Sequence, residues 1–61
     1  MDQYNGMILI EAKRLVWASG LTTRVCKVNG RKLFEAQNEI PSQHRVNFEV
    51  WDGCVKSAWI G

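Results

Sequence analysis

Residues 45–61 read RVNFEVWDGCVKSAWIG, two runs of strand-forming residues on either side of Asp52-Gly53. An Asp-Gly pair in this setting is typical of a β-hairpin, because a type I′ turn needs positive φ at both central residues. Such a turn pairs Trp51 with Cys54 and divides the hairpin into an apolar and a polar face. We expect the apolar face to lie in the core, and it consists of Val46, Phe48, Val50, Val55 and Trp59.

A second hairpin is predicted around Asn29-Gly30, which also stands between two strand-forming runs. Its register places Lys27 directly opposite Lys32, so two like charges meet close to the turn. The alternative is a helix over residues 31–39, because that segment is rich in good helix formers. We expect a strand there.

Residues 7–18 are compatible with two structures. A helix would end near Gly20 and would turn an apolar face to the core. That face would consist of Ile8, Ala12, Leu15 and Val16. A strand would instead place Leu15 and Trp17 together on one side. The β-branched residues and the tryptophan favour the strand, and we expect a strand over this segment.

The fold class follows from these turns. Glycine-centred turns near residues 20, 30 and 53 divide the chain into about five strands. A sheet of this size must curl on itself or be covered to hide its apolar side. We therefore predict a single, mainly β domain over residues 1–61, built as a small antiparallel meander or as an SH3- or OB-like barrel. The alternative is an α+β domain in which one helix packs on three or four antiparallel strands.

Composition excludes several classes of protein. A chain of 61 residues has room for one domain, and its 46% of hydrophobic and 23% of charged residues argue against intrinsic disorder. The net charge of +2 is smaller than is usual for a dedicated nucleic-acid-binding domain of this size. The apolar run Met7–Ile10 is far too short to cross a bilayer, and no basic leader precedes it. We expect a cytoplasmic protein that makes no membrane contact.

Motifs that carry catalytic chemistry are missing from the sequence. It contains neither a Gly-rich phosphate loop nor a nucleophile elbow, and His44 is its one histidine. A zinc site would have to gather Cys26, Cys54, His44 and a carboxylate from three separate segments. We expect no enzymatic activity, no cofactor and no metal, with both cysteines as free thiols in a reducing compartment.

Five residues are candidates for binding a protein or a nucleic acid. Lys27, Arg31 and Lys32 would surround the tip of the second hairpin, and Arg24 would lie further down its first strand. A protruding basic ribbon can contact phosphate oxygens, although hairpin tips are also charged simply because they are solvated. Trp51 would lie beside the other turn, where it would anchor a partner, stack on a base or pack over the end of the sheet.

The C-terminal run also resembles a class of inhibitors. Three stretches, Arg45–Val50, Asp52-Gly53 and Ile60-Gly61, are similar to the last strands of small serine-protease inhibitors of the potato inhibitor I type. This resemblance implies a rigid reactive loop before the strand, braced by arginines or by a proline-glycine pattern. The loop would fall on Asn38–Gln43. Arg45 follows it, and no second arginine stands beside Arg45.

These observations lead to three functional hypotheses. We expect a non-catalytic intracellular binding module that docks on a protein partner, as many small bacterial and phage regulators do. The alternative is a nucleic-acid-binding β module that contacts phosphates through the basic hairpin tip, and the third hypothesis is a small serine-protease inhibitor. A small domain with an open strand edge gains stability by pairing with a second copy, so a homodimer is a further expectation.

Overall fold

One helix packed on a four-stranded mixed sheet forms the architecture of the protein. The computed structural model describes residues 1–33 and 40–61. The strands lie in the order β2-β1-β3-β4, and a short 3-10 helix, Asp2–Tyr4, precedes the α-helix. The elements are α1 (Leu9–Ala18), β1 (Thr22–Val28), β2 (Arg31–Lys32), β3 (Arg45–Trp51) and β4 (Cys54–Ile60).

The predicted fold class is therefore right only in part. The chain is α+β rather than mainly β, and the described residues form four strands rather than about five. The alternative with one helix is closer, but its sheet was expected to be antiparallel throughout. Instead β1 and β3 are parallel neighbours, with Thr22 paired to Arg45 and Val25 to Phe48. Parallel pairing needs a long connection, which residues 29–44 provide.

The strand predicted over residues 7–18 is wrong, because most of this segment is α1. The run Glu11-Ala12-Lys13-Arg14-Leu15 consists of strong helix formers, which outweigh the few β-branched residues around it. Ala12 and Val16 lie one turn apart and are fully buried against the sheet. The helix interpretation also named Ile8 and Leu15 for its apolar face, but both are more than half exposed.

The core lies between α1 and the central strand β3. Val46, Phe48 and Val50 alternate along β3 and are buried on the side that faces the helix. Val55 of β4 joins them, and Tyr4 packs its ring edge-to-face on Phe48 with 6.0 Å between the ring centroids. Four of the five residues predicted for the apolar face of the C-terminal hairpin are thus in the core.

The fifth, Trp59, lies on the other side of the sheet. The hairpin begins in the predicted register, with Trp51 opposite Cys54 and Val50 opposite Val55. A β-bulge at Lys56 then shifts the pairing by one residue. Beyond the bulge every β4 side chain changes face, so Trp59 pairs with Asn47 and remains 40% exposed.

The second predicted hairpin is confirmed within the described residues. Val28 pairs with Arg31 and Lys27 with Lys32, and the Leu33 amide donates to the Cys26 carbonyl at 2.9 Å. The continuation of this strand as far as residue 39, and the competing helix, fall on residues 34–39, which lie outside the described residues. Arg31 and Lys32 themselves are strand.

Candidate functional site

The two tight turns lie side by side at one end of the sheet. Asn29 and Asp52 have φ of 50° and 49°, and each is followed by a glycine with positive φ, as type I′ turns require. The Asn29 amide donates to the Val50 carbonyl at 2.8 Å, and the Asp52 amide donates to the Asn29 Oδ1 at 2.8 Å. The turns therefore hold each other in place.

Four of the five predicted binding residues meet at this end of the sheet. We call Lys27, Arg31, Lys32 and Trp51 the basic end. The two lysines pair across β1 and β2. A Cβ added at Gly30 would stand 3.3 Å from the Trp51 ring, so the indole packs closely on the turn that carries Arg31. Trp51 nevertheless remains 42% exposed.

The Trp51 side chain is held by polar contacts as well as by packing. Its Nε1 donates to the Glu49 Oε2 at 3.3 Å, and the Lys56 Nζ lies 4.8 Å from the ring centroid. The Ser57 hydroxyl donates to the other Glu49 oxygen at 3.3 Å. These contacts give the tryptophan a defined position before any ligand arrives.

Glu49 brings a negative charge into the same region. The hydrogen bond from Trp51 lowers the pKa of its carboxyl, and the charge of Lys56, the Ser57 hydroxyl and the charge of Lys27 act in the same direction. Glu49 is therefore ionised at neutral pH, and it offsets part of the positive charge of the basic end.

Arg24, the fifth predicted residue, lies apart from the basic end. It sits on the side of the sheet opposite α1, which we call the outer face. Its Nε donates to the Asn47 Oδ1 at 3.1 Å, and the register pairs Arg24 with Asn47. Continued from Lys27 opposite Lys32, the predicted register of the second hairpin would place Glu35 opposite Arg24, and Glu35 lies outside the described residues.

A different cluster surrounds the start of β3. The Arg45 guanidinium donates through Nη2 to the Ile40 carbonyl at 2.7 Å and through Nε to the Gly61 carbonyl at 2.8 Å. Arg45 is half-buried, and Ile40 is 85% exposed. One side chain thus connects an exposed part of the chain before β3 to Gly61, which follows β4.

The same stretch is anchored again a few residues later. The His44 carbonyl accepts from the Thr22 amide at 2.8 Å and from the Thr22 hydroxyl at 3.1 Å. The His44 amide in turn donates to the Ser42 hydroxyl at 3.1 Å. We call residues 40–44 the anchored segment, because both of its ends accept hydrogen bonds from the sheet. The predicted loop Asn38–Gln43 overlaps it, although residues 38 and 39 lie outside the described residues.

Sequence reasoning missed two residues of this cluster. Asn47 is on the outer face of β3 yet only 1% exposed, and it accepts from Arg24 Nε and from the Cys26 thiol, whose sulfur is 3.4 Å away. Gly61 was noted for the resemblance but not as the acceptor for Arg45. A lone polar residue between Val46 and Phe48 was the one available signal for Asn47.

The remaining expectations concern metals, thiols and membranes. Within residues 1–33 and 40–61, no three side chains of His, Cys, Asp or Glu gather where they could hold a metal ion. Cys26 and Cys54 are both free thiols. Over the same residues, no helix combines the length and the apolar character that crossing a bilayer requires.

Comparison of the chain with protein-family models, with curated proteins and with solved structures found no match. The geometry of the basic end and of the anchored segment is therefore what bears on the function of the protein. The resemblance of residues 45–61 to a class of protease inhibitors stays a prediction.

Proposed function

We propose that the protein is a non-catalytic binding module that docks on a protein partner through the anchored segment, and that this partner is a serine protease, which the protein inhibits. The resemblance of residues 45–61 implied a loop before β3 that is braced by arginine. The bond from Arg45 to the Ile40 carbonyl matches this expectation, and it is the observation that carries the proposal.

The anchored segment has the properties that a docking segment needs. It is exposed at Ile40, Pro41, Gln43 and His44, so a partner can reach it. Its anchors restrict its conformation before binding, which reduces the entropy that is lost on docking. An exposed, extended segment can also pair its backbone with the edge of a partner's binding cleft.

The anchors also explain how such a segment would resist a protease. The strands before and after it, β2 and β3, belong to one sheet, in which β1 lies between them. A peptide bond cut in the anchored segment would leave both fragments attached to that sheet. The fragments would not diffuse away, and the protease would remain occupied.

Subtilisin and chymotrypsin assays test this proposal. We expect the protein to inhibit at least one of them, and Arg45→Ala to weaken inhibition by roughly tenfold or more, since the freed segment must be ordered on binding. Arg31→Ala is the matched control, because it removes an arginine from the exposed strand β2. Rapid cleavage within residues 38–43 without inhibition would contradict the proposal.

A second candidate function is nucleic-acid binding at the basic end. It is favoured by the positions of Lys27, Arg31 and Lys32 beside a fixed and partly exposed Trp51. Lysine and arginine contribute salt-dependent contacts with phosphates, and an exposed indole can stack on a base. The carboxylate of Glu49 weakens this case, because it repels phosphate.

Titration with a mixed oligonucleotide at low and moderate salt, followed by tryptophan fluorescence, tests the second function. A salt-sensitive change that is abolished by Lys27→Glu combined with Lys32→Glu would support it. The same oligonucleotide should bind the Arg45→Ala variant normally, since Arg45 lies at the other end of β3. No change in fluorescence at either salt concentration would exclude stacking on Trp51.

A further inference from the structure

Asn47 occupies an unusual position for an amide side chain. Among residues 1–33 and 40–61 it is the one polar residue that is buried. It lies on the outer face of the central strand, where an apolar side chain would cost less to bury. Its oxygen accepts from Arg24 Nε at 3.1 Å and from the Cys26 thiol at 3.4 Å, so the amide is fixed from the side of β1.

On its other side, Asn47 lies against Gly61. A Cβ added at Gly61 would stand 3.2 Å from the Asn47 Nδ2, which is a tighter approach than ordinary van der Waals contact. Gly61 is in turn joined to Arg45 by two hydrogen bonds. The Gly61 amide donates to the Arg45 carbonyl at 3.1 Å, and Arg45 Nε donates to the Gly61 carbonyl at 2.8 Å.

These residues form a row of neighbours across the outer face. It runs from Arg24 on β1 through Asn47 to Gly61, and from Gly61 through Arg45 to the Ile40 carbonyl. Asn47 is two residues after Arg45 on the same strand, so both side chains project from the same face. Gly61 is thus hydrogen-bonded to Arg45, and the Asn47 Nδ2 borders the space that a side chain at Gly61 would occupy.

We propose that Arg24 and Asn47 are a positioning pair for the anchored segment. They hold Gly61 in the place where its carbonyl receives Arg45, and Arg45 is thereby directed at the Ile40 carbonyl. Arg24 takes the part of the second arginine that the sequence lacks beside Arg45, and it does so from the neighbouring parallel strand. This inference rests on the proposed function and extends it by naming residues that control inhibition without belonging to the segment itself.

The chemistry of arginine is needed at position 24. Its planar guanidinium directs Nε at the Asn47 oxygen at a fixed angle, whereas a lysine ammonium is a flexible point charge without a donor at that position on its stem. Arg24→Lys keeps the charge and most of the apolar stem. It therefore removes the directed hydrogen bond from Nε to Asn47.

Inhibition measurements form the first arm of the test. We expect Arg24→Lys and Asn47→Ala each to weaken inhibition by roughly tenfold, the factor that corresponds to losing one hydrogen bond with a charged donor. The variant that carries both substitutions should inhibit as well as the single variant with the poorer inhibition, because the two residues act as a unit. Arg14→Lys, at an exposed position of α1, is the matched control and should inhibit as the unaltered protein does.

Backbone amide relaxation, measured by NMR without any protease, forms the second arm. In Arg24→Lys we expect the amides of Ser42, Gln43 and His44 to become more mobile, while those of α1 stay rigid. A urea midpoint close to that of the unaltered protein shows that the fold is intact. Should Asn47→Ala fail to fold, Arg24→Lys decides the question.

The two arms separate the two ideas. If the protein inhibits no protease but Arg24→Lys still loosens residues 42–44, the proposed function fails and the positioning pair stands. If the protein inhibits and Arg24→Lys changes neither inhibition nor mobility, the positioning pair is overturned and the proposed function stands.

Discussion

The basic end and the anchored segment are two loop regions whose shapes have different origins. At the basic end, Asn29-Gly30 and Asp52-Gly53 adopt positive φ and turn the chain within four residues. The anchored segment is shaped by side chains from outside it, since Thr22 and Arg45 hold its backbone carbonyls. The first kind of loop is specified mainly by its own residues, and the bond from the Asp52 amide to Asn29 adds to this. The second is specified mainly by its neighbours, and the bond from the His44 amide to Ser42 adds to this.

This difference bears on how each region tolerates change. A locally specified turn keeps its shape when a distant contact is lost. A segment held by a few side chains from other strands loses its shape when one of them is replaced. A binding function at the anchored segment therefore depends on residues such as Arg45 and Thr22, which need not touch the partner.

The largest expected effect comes from the core beneath both regions. Phe48→Ala removes a fully buried ring from the central strand and should cost about 3–5 kcal/mol of unfolding free energy. A domain of this size has little more stability than that, so both loop regions should lose their structure together. Circular dichroism with urea titration measures the loss.

Ile40→Ala is the control for the core variant. Ile40 is apolar but 85% exposed, so its replacement should leave the free energy of unfolding within about 0.5 kcal/mol of the original. A folded Phe48→Ala protein with unchanged midpoint would show that the two regions do not share this core.

Arg45→Ala should separate the two regions. It removes two hydrogen bonds from a half-buried charged donor, and we expect a loss of about 2 kcal/mol in unfolding free energy. Amide exchange should accelerate at residues 42–44 and stay slow in the Asn29-Gly30 hairpin. Equal acceleration of amide exchange at residues 42–44 and in the Asn29-Gly30 hairpin would show that the two regions are not held independently.

The local part of the fold was predictable from the sequence. Asn29-Gly30 and Asp52-Gly53 specify their own turns, and both hairpin registers next to the turns are as predicted. The prediction of which side of the sheet each side chain faces failed where the pairing of β4 with β3 decides the register. The bulge at Lys56 moves Trp59 to the outer face, and no residue near Lys56 predicts a bulge.

The parallel pairing of β1 with β3 could not be predicted from local turn residues, because it joins strands that are far apart in the chain. The candidate site divides in the same way. Charge density near a turn indicated Lys27, Arg31 and Lys32, whereas Asn47 and Gly61 acquire their roles only once β3 is placed beside β1 and β4. Arg24 was named for its charge, and its Nε donates to the amide oxygen of Asn47.

The two turn glycines offer a third, smaller test. Gly30 and Gly53 have φ of 82° and 81°, so alanine at either position should cost about 1–2 kcal/mol of unfolding free energy. The space around them differs, because a Cβ at Gly30 would stand 3.3 Å from Trp51, whereas nothing lies within 4 Å of one at Gly53. Gly30→Ala should therefore be the more damaging, and it alone should shift the fluorescence of Trp51.

Equal losses for the two glycine variants, with unchanged fluorescence, would mean that Trp51 moves aside without cost. The basic end would then be less rigid than its contacts indicate. Inhibition by both variants should stay close to that of the original protein, since neither glycine touches the anchored segment.

The smallest expected effect is a pH dependence at the basic end. The pKa of Glu49 is lowered below its ordinary value of 4.5, first by the Trp51 hydrogen bond and then by Lys56, Ser57 and Lys27. Ionised Glu49 therefore stabilises the folded state above pH 4.5, and this contribution is lost as the pH falls through the lower folded pKa. Because the carboxylate is solvated, the effect on unfolding should be slight, and an NMR titration of the Glu49 side chain is the suitable measurement.

Trp51→Phe sharpens that titration, because it removes the indole donor and keeps an aromatic ring. We expect the Glu49 pKa to rise toward its ordinary value in this variant, and to stay low in Trp59→Phe, which alters a tryptophan elsewhere on the outer face. An unchanged pKa in Trp51→Phe would assign the shift to Lys56, Ser57 and Lys27. The position of the indole would then owe more to packing on Gly30 than to its bond with Glu49, and the basic end would be shaped by its turns alone.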